Sequence, residues 1–133
     1  MTDTPKCRLV TRSDFDGLVC AVLLKERGLI DRIEFVHPKD MQDGKIPMGP
    51  DDISTNLPYV PGCRLAFDHH ASEMTRVEGH PDNHIIDPNA ASAARVVYDY
   101  YGGAAAFPKV SKEMMDAVDE TLAQIGAGER LWL

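Results

Sequence analysis

The stretch CRLVTRSDFDGLVCAVLLKERG, residues 7–28, carries the pattern that decides the fold. Arg8 to Thr11 is a short β-forming run with apolar residues at its centre and reads as a strand. Ser13-Asp14-Phe15-Asp16-Gly17 is an acidic turn, and Leu18 through Val22 to Leu24 then reads as a helix that ends in Lys25-Glu26-Arg27 with Gly28 as its stop. Short apolar runs alternate with helical ones through the first half of the chain, which is the pattern of βαβ units and a parallel sheet.

Further strands are expected at Ile33 to Val36, Ile53 to Leu57, Cys63 to Phe67 and the short Ile85-Ile86. Pro38 to Pro50 reads as a loop with room for one helical turn, and the residues after His70 as a polar loop. Asn89 is the expected N-cap of a helix from Ala90 to Tyr101 that stops at Gly102-Gly103, and Ser111 that of a last helix reaching about Ile125. The expected fold is α/β: one three-layer domain over residues 1–133 around a mainly parallel sheet of about five strands.

The composition fits a globular chain: 133 residues, 44% hydrophobic, 26% charged, and no repeat or low-complexity tract. With 14 Lys+Arg against 21 Asp+Glu the net charge is −7, which argues against nucleic-acid binding over the whole surface and leaves room for a local cationic pocket. Cys7, Cys20 and Cys63 contain no CxxC pair and read as buried thiols in a reducing compartment. The N-terminus lacks a signal-like pattern and the longest apolar stretch is too short for a bilayer, so the expected setting is cytoplasmic with no membrane contact.

Two clusters follow predicted strands: Ser13 to Gly17 after the first, and Asp68-His69-His70 after the fourth. Loops at the carboxyl ends of parallel strands line one crevice, so these carboxylates and imidazoles are expected to meet there and suit a metal site. Asp14 and Asp16 have a competing role as helix caps. His37, His80 and His84 are isolated and read as surface or core-satisfying residues.

Together these residues resemble the DHH phosphoesterases, a family named for the motif standing here as Asp68-His69-His70. Val10-Thr-Arg-Ser-Asp14-Phe-Asp16-Gly17 is similar to the family's first motif, and Asn89-Ala-Ala-Ser-Ala-Ala-Arg95 to its helix after the histidine loop; the resemblance spans roughly residues 7 to 119, with 120–133 divergent. It implies a metal-dependent phosphoesterase acting on phosphodiester or phosphoanhydride bonds, related to the exopolyphosphatases and oligoribonucleases, with manganese as the expected divalent metal. By the same resemblance Asp14 and Asp16 each hold a metal, His69 is a ligand, Asp68 orients it, and His70 faces the phosphate; His70 and Asp68 are the implied catalytic pair.

The departures are specific. Val10 stands where the family often has a histidine, and Asn56 where it commonly has a bridging aspartate. Asp116 and Asp119 are candidates for a further aspartate near the last helix, where Thr121-Leu122 offers no match. The family's second, substrate-gripping domain with its glycine-rich histidine motif has no counterpart in this sequence. Two functions follow: a phosphoesterase whose substrate contains phosphate, nucleic acid entering only as a short oligonucleotide, or a degenerate domain that binds a phosphate-containing ligand or a protein partner in the same cleft. Met114, Met115, Val118, Leu122 and Ile125, with Leu131, Trp132 and Leu133, suit either core packing or a homodimer contact.

Overall fold

The computed structural model describes residues 6–79 and 81–125, with side chains up to residue 122. Strand β1 (Cys7–Arg12) leads through Ser13 and Asp14 into helix α1 (Phe15–Glu26). The Asp14 side chain accepts the Gly17 N–H at 2.7 Å and so caps α1. Gly17 is required by contact: a Cβ there would lie 2.0 Å from the Arg12 carbonyl oxygen and 2.8 Å from the Thr11 hydroxyl. The helix ends as read, with Gly28 in the left-handed region at φ 71° and its N–H donating to the Lys25 carbonyl.

The remaining elements are β2 (Ile30–Val36), α2 (Pro38–Gln42), β3 (Asp52–Thr55), β4 (Leu65–Asp68), α3 (Ala71–Arg76), β5 (His84–Ile86), α4 (Ala93–Tyr100), a 3-10 turn at Gly103–Ala105, and α5 (Lys112–Ile125). The five strands form one sheet in the order β2-β1-β3-β4-β5, every pairing parallel. This is the expected three-layer α/β architecture. Successive β1 residues face opposite layers: Leu9 packs with Val19, Leu23, Ile53, Phe67, Val97 and Val118 beneath α1, α4 and α5, while Val10 packs with Met41 and Leu57 on the side of α2.

The Pro38 to Pro50 loop opens with the one helical turn expected there, α2, capped by His37, whose Nδ1 accepts the Lys39 N–H at 3.1 Å. Other local readings change. The polar loop after His70 begins with α3 because Glu73 and Arg76, one turn apart, clamp it to the β3–β4 loop: Glu73 accepts the Tyr59 N–H at 2.6 Å and Arg76 donates to the Tyr59 carbonyl at 2.8 Å. Strand β3 stops before Asn56, which takes a left-handed φ of 59°, and β4 begins beyond Cys63 and Arg64. The cap of α4 is Ser92, whose Oγ accepts the Arg95 N–H at 2.9 Å, and not Asn89, whose own N–H donates to Asp87.

All three cysteines are buried free thiols. On α5, Met115 and Val118 belong to the main core and Met114 and Leu122 are partly buried. Leu131, Trp132, Leu133 and the Ile125 side chain lie outside the described residues, as does His80.

Because the Gly17 Cα sits against the β1 backbone, Gly17→Ala forces the strand and helix apart. The expected loss is about 3 kcal/mol of unfolding free energy, read as a lower urea midpoint; a midpoint equal to that of the parent protein contradicts this packing.

Candidate active site at the strand ends

The order β2-β1-β3 places the topological switch point between β1 and β3, where chain connections leave toward opposite faces and open a crevice at the carboxyl ends. Thr11 and Thr55 close its floor: Thr55 Oγ1 donates to Thr11 Oγ1 at 2.8 Å, and Thr11 Oγ1 to the Thr55 carbonyl at 3.1 Å. Both sequence clusters open onto this floor, together with Asn56 and the segment leading into α4.

Asp16 is the centre of the arrangement. The residue is 1% exposed, and its side chain accepts the N–H groups of Ala93 at 2.9 Å and Ala94 at 2.8 Å, the first amides of α4. The amide dipoles at a helix N-terminus stabilise the carboxylate. Burial works against it and prevails: with the nearby charges of Asp14 and Asp68 adding to the effect, its pKa is pushed up to about 7. The Cys20 thiol lies beneath, its Sγ 3.9 Å from Asp16.

His69 Nε2 stands 3.8 Å from Asp16 Oδ2, and its Nδ1 is 3.2 Å from the Ala90 carbonyl. A carbonyl can only accept, so Nδ1 carries the proton and a neutral ring turns its Nε2 lone pair toward Asp16. His70 Nδ1 lies 2.6 Å from Asp68 Oδ1. Asp68 therefore orients His70 and not His69, contrary to the sequence expectation; the Ala90 carbonyl does that for His69. Burial pushes the Asp68 carboxyl well above the usual range, and its Oδ2 has no hydrogen-bond partner among the described residues.

Asp14 is held apart from this pair. Besides the Gly17 N–H, both its oxygens receive the Asn56 side-chain amide at 3.1 Å, and the Arg12 guanidinium lies 3.6 Å from Oδ2. The positive φ of Asn56 turns its amide to Asp14 at the end of β3. Asp116 and Asp119 do not reach the site: Asp119 pairs with Arg95 at 2.6 Å and accepts from Ser92, and Asp116 pairs with Lys112 at 2.6 Å.

Two donors, Asp16 and His69, stand close enough to share one divalent ion. An oxygen and a nitrogen 3.8 Å apart can share a cation at bonds of roughly 2.1 Å. Asp14 stands outside this pair, held by Gly17, Asn56 and Arg12. Among the described residues, no group of three or more His, Cys, Asp or Glu side chains is arranged to hold a metal. Ala90, Ala93 and Ala94, within the Asn89–Arg95 stretch, act through backbone atoms, while Glu73 and Arg76, which the sequence reading left out, show their i, i+3 spacing.

Asp16 sets a pH dependence. In the unfolded chain its carboxyl titrates near the ordinary value of about 4, so between that pH and about 7 the folded protein binds the extra proton. The stabilisation from this proton is full below about pH 4 and disappears as pH rises through about 7, with a slope of at most about 1.4 kcal/mol per pH unit. Asp16→Asn, measured by urea denaturation in EDTA, is expected to flatten this decline; identical slopes in both proteins contradict the burial account.

No protein-family model matches the chain, and no curated protein matches it. Among solved structures, it is similar to the pGpG-specific phosphodiesterase PggH from Vibrio cholerae, with 63% identity over 86% of this chain and a TM-score of 0.77. The chain spans 36% of the length of that structure, so the similarity is to about a third of a phosphodiesterase. No helix among the described residues is long and apolar enough to cross a membrane.

Proposed function

We propose that this chain is the DHH-type domain of a metal-dependent phosphodiesterase whose substrate is a short linear oligonucleotide of the pGpG kind. The observation that carries this reading is the 63% identity to a pGpG-specific phosphodiesterase, in a chain whose carboxylates and imidazoles converge at the switch point of a parallel sheet. Asp16 and His69 would hold one divalent cation, manganese being the expected ion. When bound, that ion would supply Lewis-acid polarisation of the phosphoryl group and a more acidic water.

The other steps belong to the chain's own side chains. Asp68 keeps the His70 Nδ1 proton in place, so that Nε2 exchanges a proton with the attacking water or the departing oxygen. Burial of Asp16, Asp68, His69 and His70 keeps competing water from weakening these contacts. The amides of α4 hold Asp16 in place, and the Asn56 amide holds Asp14.

A second reading draws on the same Asn56 contact. A domain with one cation and an amide-masked Asp14 binds a phosphate-containing ligand without turning it over. Hydrolysis separates the two. In manganese, the protein is expected to cleave pGpG and bis(p-nitrophenyl) phosphate, and Asp68→Asn or His70→Gln to lower the rate by roughly 10² or more. Binding of pGpG without cleavage supports the second reading, and neither binding nor cleavage sinks both.

Metal binding has its own readout. Manganese titration followed by electron paramagnetic resonance is expected to give about one ion per chain, with clearly weaker binding in Asp16→Asn and in His69→Gln. Equal affinity in all three proteins disposes of the assigned ligands.

A further inference from the structure

Strand β2 stands at one end of the sheet, and no strand pairs with its outer side among the described residues. At seven residues it is also the longest of the five strands. Natural edge strands are commonly kept short or covered, because their row of unpaired N–H and C=O groups is a template for another chain. We propose that β2 is a homodimer interface, pairing antiparallel with β2 of a second copy of this chain about a two-fold axis at Ile33.

The side chains on this edge leave apolar surface open. Ile33 is 43% and Phe35 48% exposed. The register sets Ile33 beside Leu9 and Phe35 beside Thr11, so both project on the side of the sheet that carries α1. On α1 itself, Leu18 and Val22 are exposed as well. Large apolar side chains left toward water on one side of a single βαβ unit mark an interaction surface.

The order of the charges identifies the partner. A two-fold axis perpendicular to the sheet keeps every side chain on its own face, so β2 can meet its copy only in registers centred on a residue. Ile33 is the middle of Ile30–Val36, and pairing about it opposes all seven residues. Arg32 then stands opposite Glu34 of the partner subunit and Glu34 opposite Arg32 of the partner subunit. Ile33 meets its own copy, which Phe35 reaches diagonally. An axis moved one residue either way sets Arg32 against Arg32 or Glu34 against Glu34, so the charges select one register. Within the protomer Arg32 pairs with Asp31 at 3.1 Å and Glu34 with Arg8 at 2.9 Å. Both are surface pairs of the kind that contribute little, and they rearrange at small cost.

Sedimentation velocity over a range of concentrations tests the interface, using the parent protein, Arg32→Glu, Glu34→Arg, and an equal mixture of the two variants. The parent protein is expected to pass from monomer to dimer as concentration rises. Each variant alone opposes like charges twice, and its dimer is expected to weaken by at least about tenfold. In the mixture every Arg again faces a Glu, and a mixed dimer of near-parent affinity is expected, a rescue that misfolded variants cannot give. A parent protein that is monomeric at every concentration, a dimer that both variants retain, or a mixture no better than its components overturns the interface.

Discussion

The carboxylate of Asp16 on the first amides of α4 is the contact that the rest of the site depends on. Asp16 opens one helix and Ala93 and Ala94 open another, far along the chain. A charged group at that depth is tolerated only with strong compensation, and two N–H groups at a helix start provide part of it. Holding α4 there also fixes the Ala90 carbonyl, which sets the His69 ring. On its far side, α4 is tied to α5 through Ser92, Arg95 and Asp119. One side chain thus connects the turn after β1, the histidine loop and two of the helices over the sheet.

Asp14 and Asp16 differ by one intervening residue and have opposite surroundings. Asp14 is partly exposed and met by a guanidinium, an amide side chain and a backbone N–H. Asp16 is buried and meets two backbone amides, the Cys20 thiol and an imidazole. The second carries a raised proton affinity. The Asp-x-Asp-Gly spelling alone does not distinguish them. What separates their roles is the Asn56 amide on one and the packing of α4 on the other.

The parallel sheet, the first βα unit and the meeting of both acidic clusters were legible in the sequence, because each depends on local apolar runs and on where loops of a parallel sheet must emerge. Helix starts were less so. Asn89 has the right residue type for a cap, but its own N–H is drawn to Asp87, and the helix waits for Ser92. The pairing of Asp68 with His70 in place of His69 was also out of reach, since three adjacent residues at a strand end point in directions that only the backbone there decides. The α3 clamp was missed because Glu73, polar by type, is wholly buried on the Tyr59 backbone.

A sheet with no antiparallel neighbours has a kinetic side. Every pairing in it joins segments separated by a connection, so none forms as a simple hairpin, and topologies of this kind fold more slowly than those built from local contacts. During synthesis all five strands emerge before Ala93 and Ala94. Until those two residues leave the ribosome, Asp16 has no amides to receive it and α1 lacks the helix it packs against. The nascent sheet is therefore complete in sequence while its main apolar face and its carboxylate are both still open to water, and it is at that stage of its life that this chain most needs protection from its neighbours.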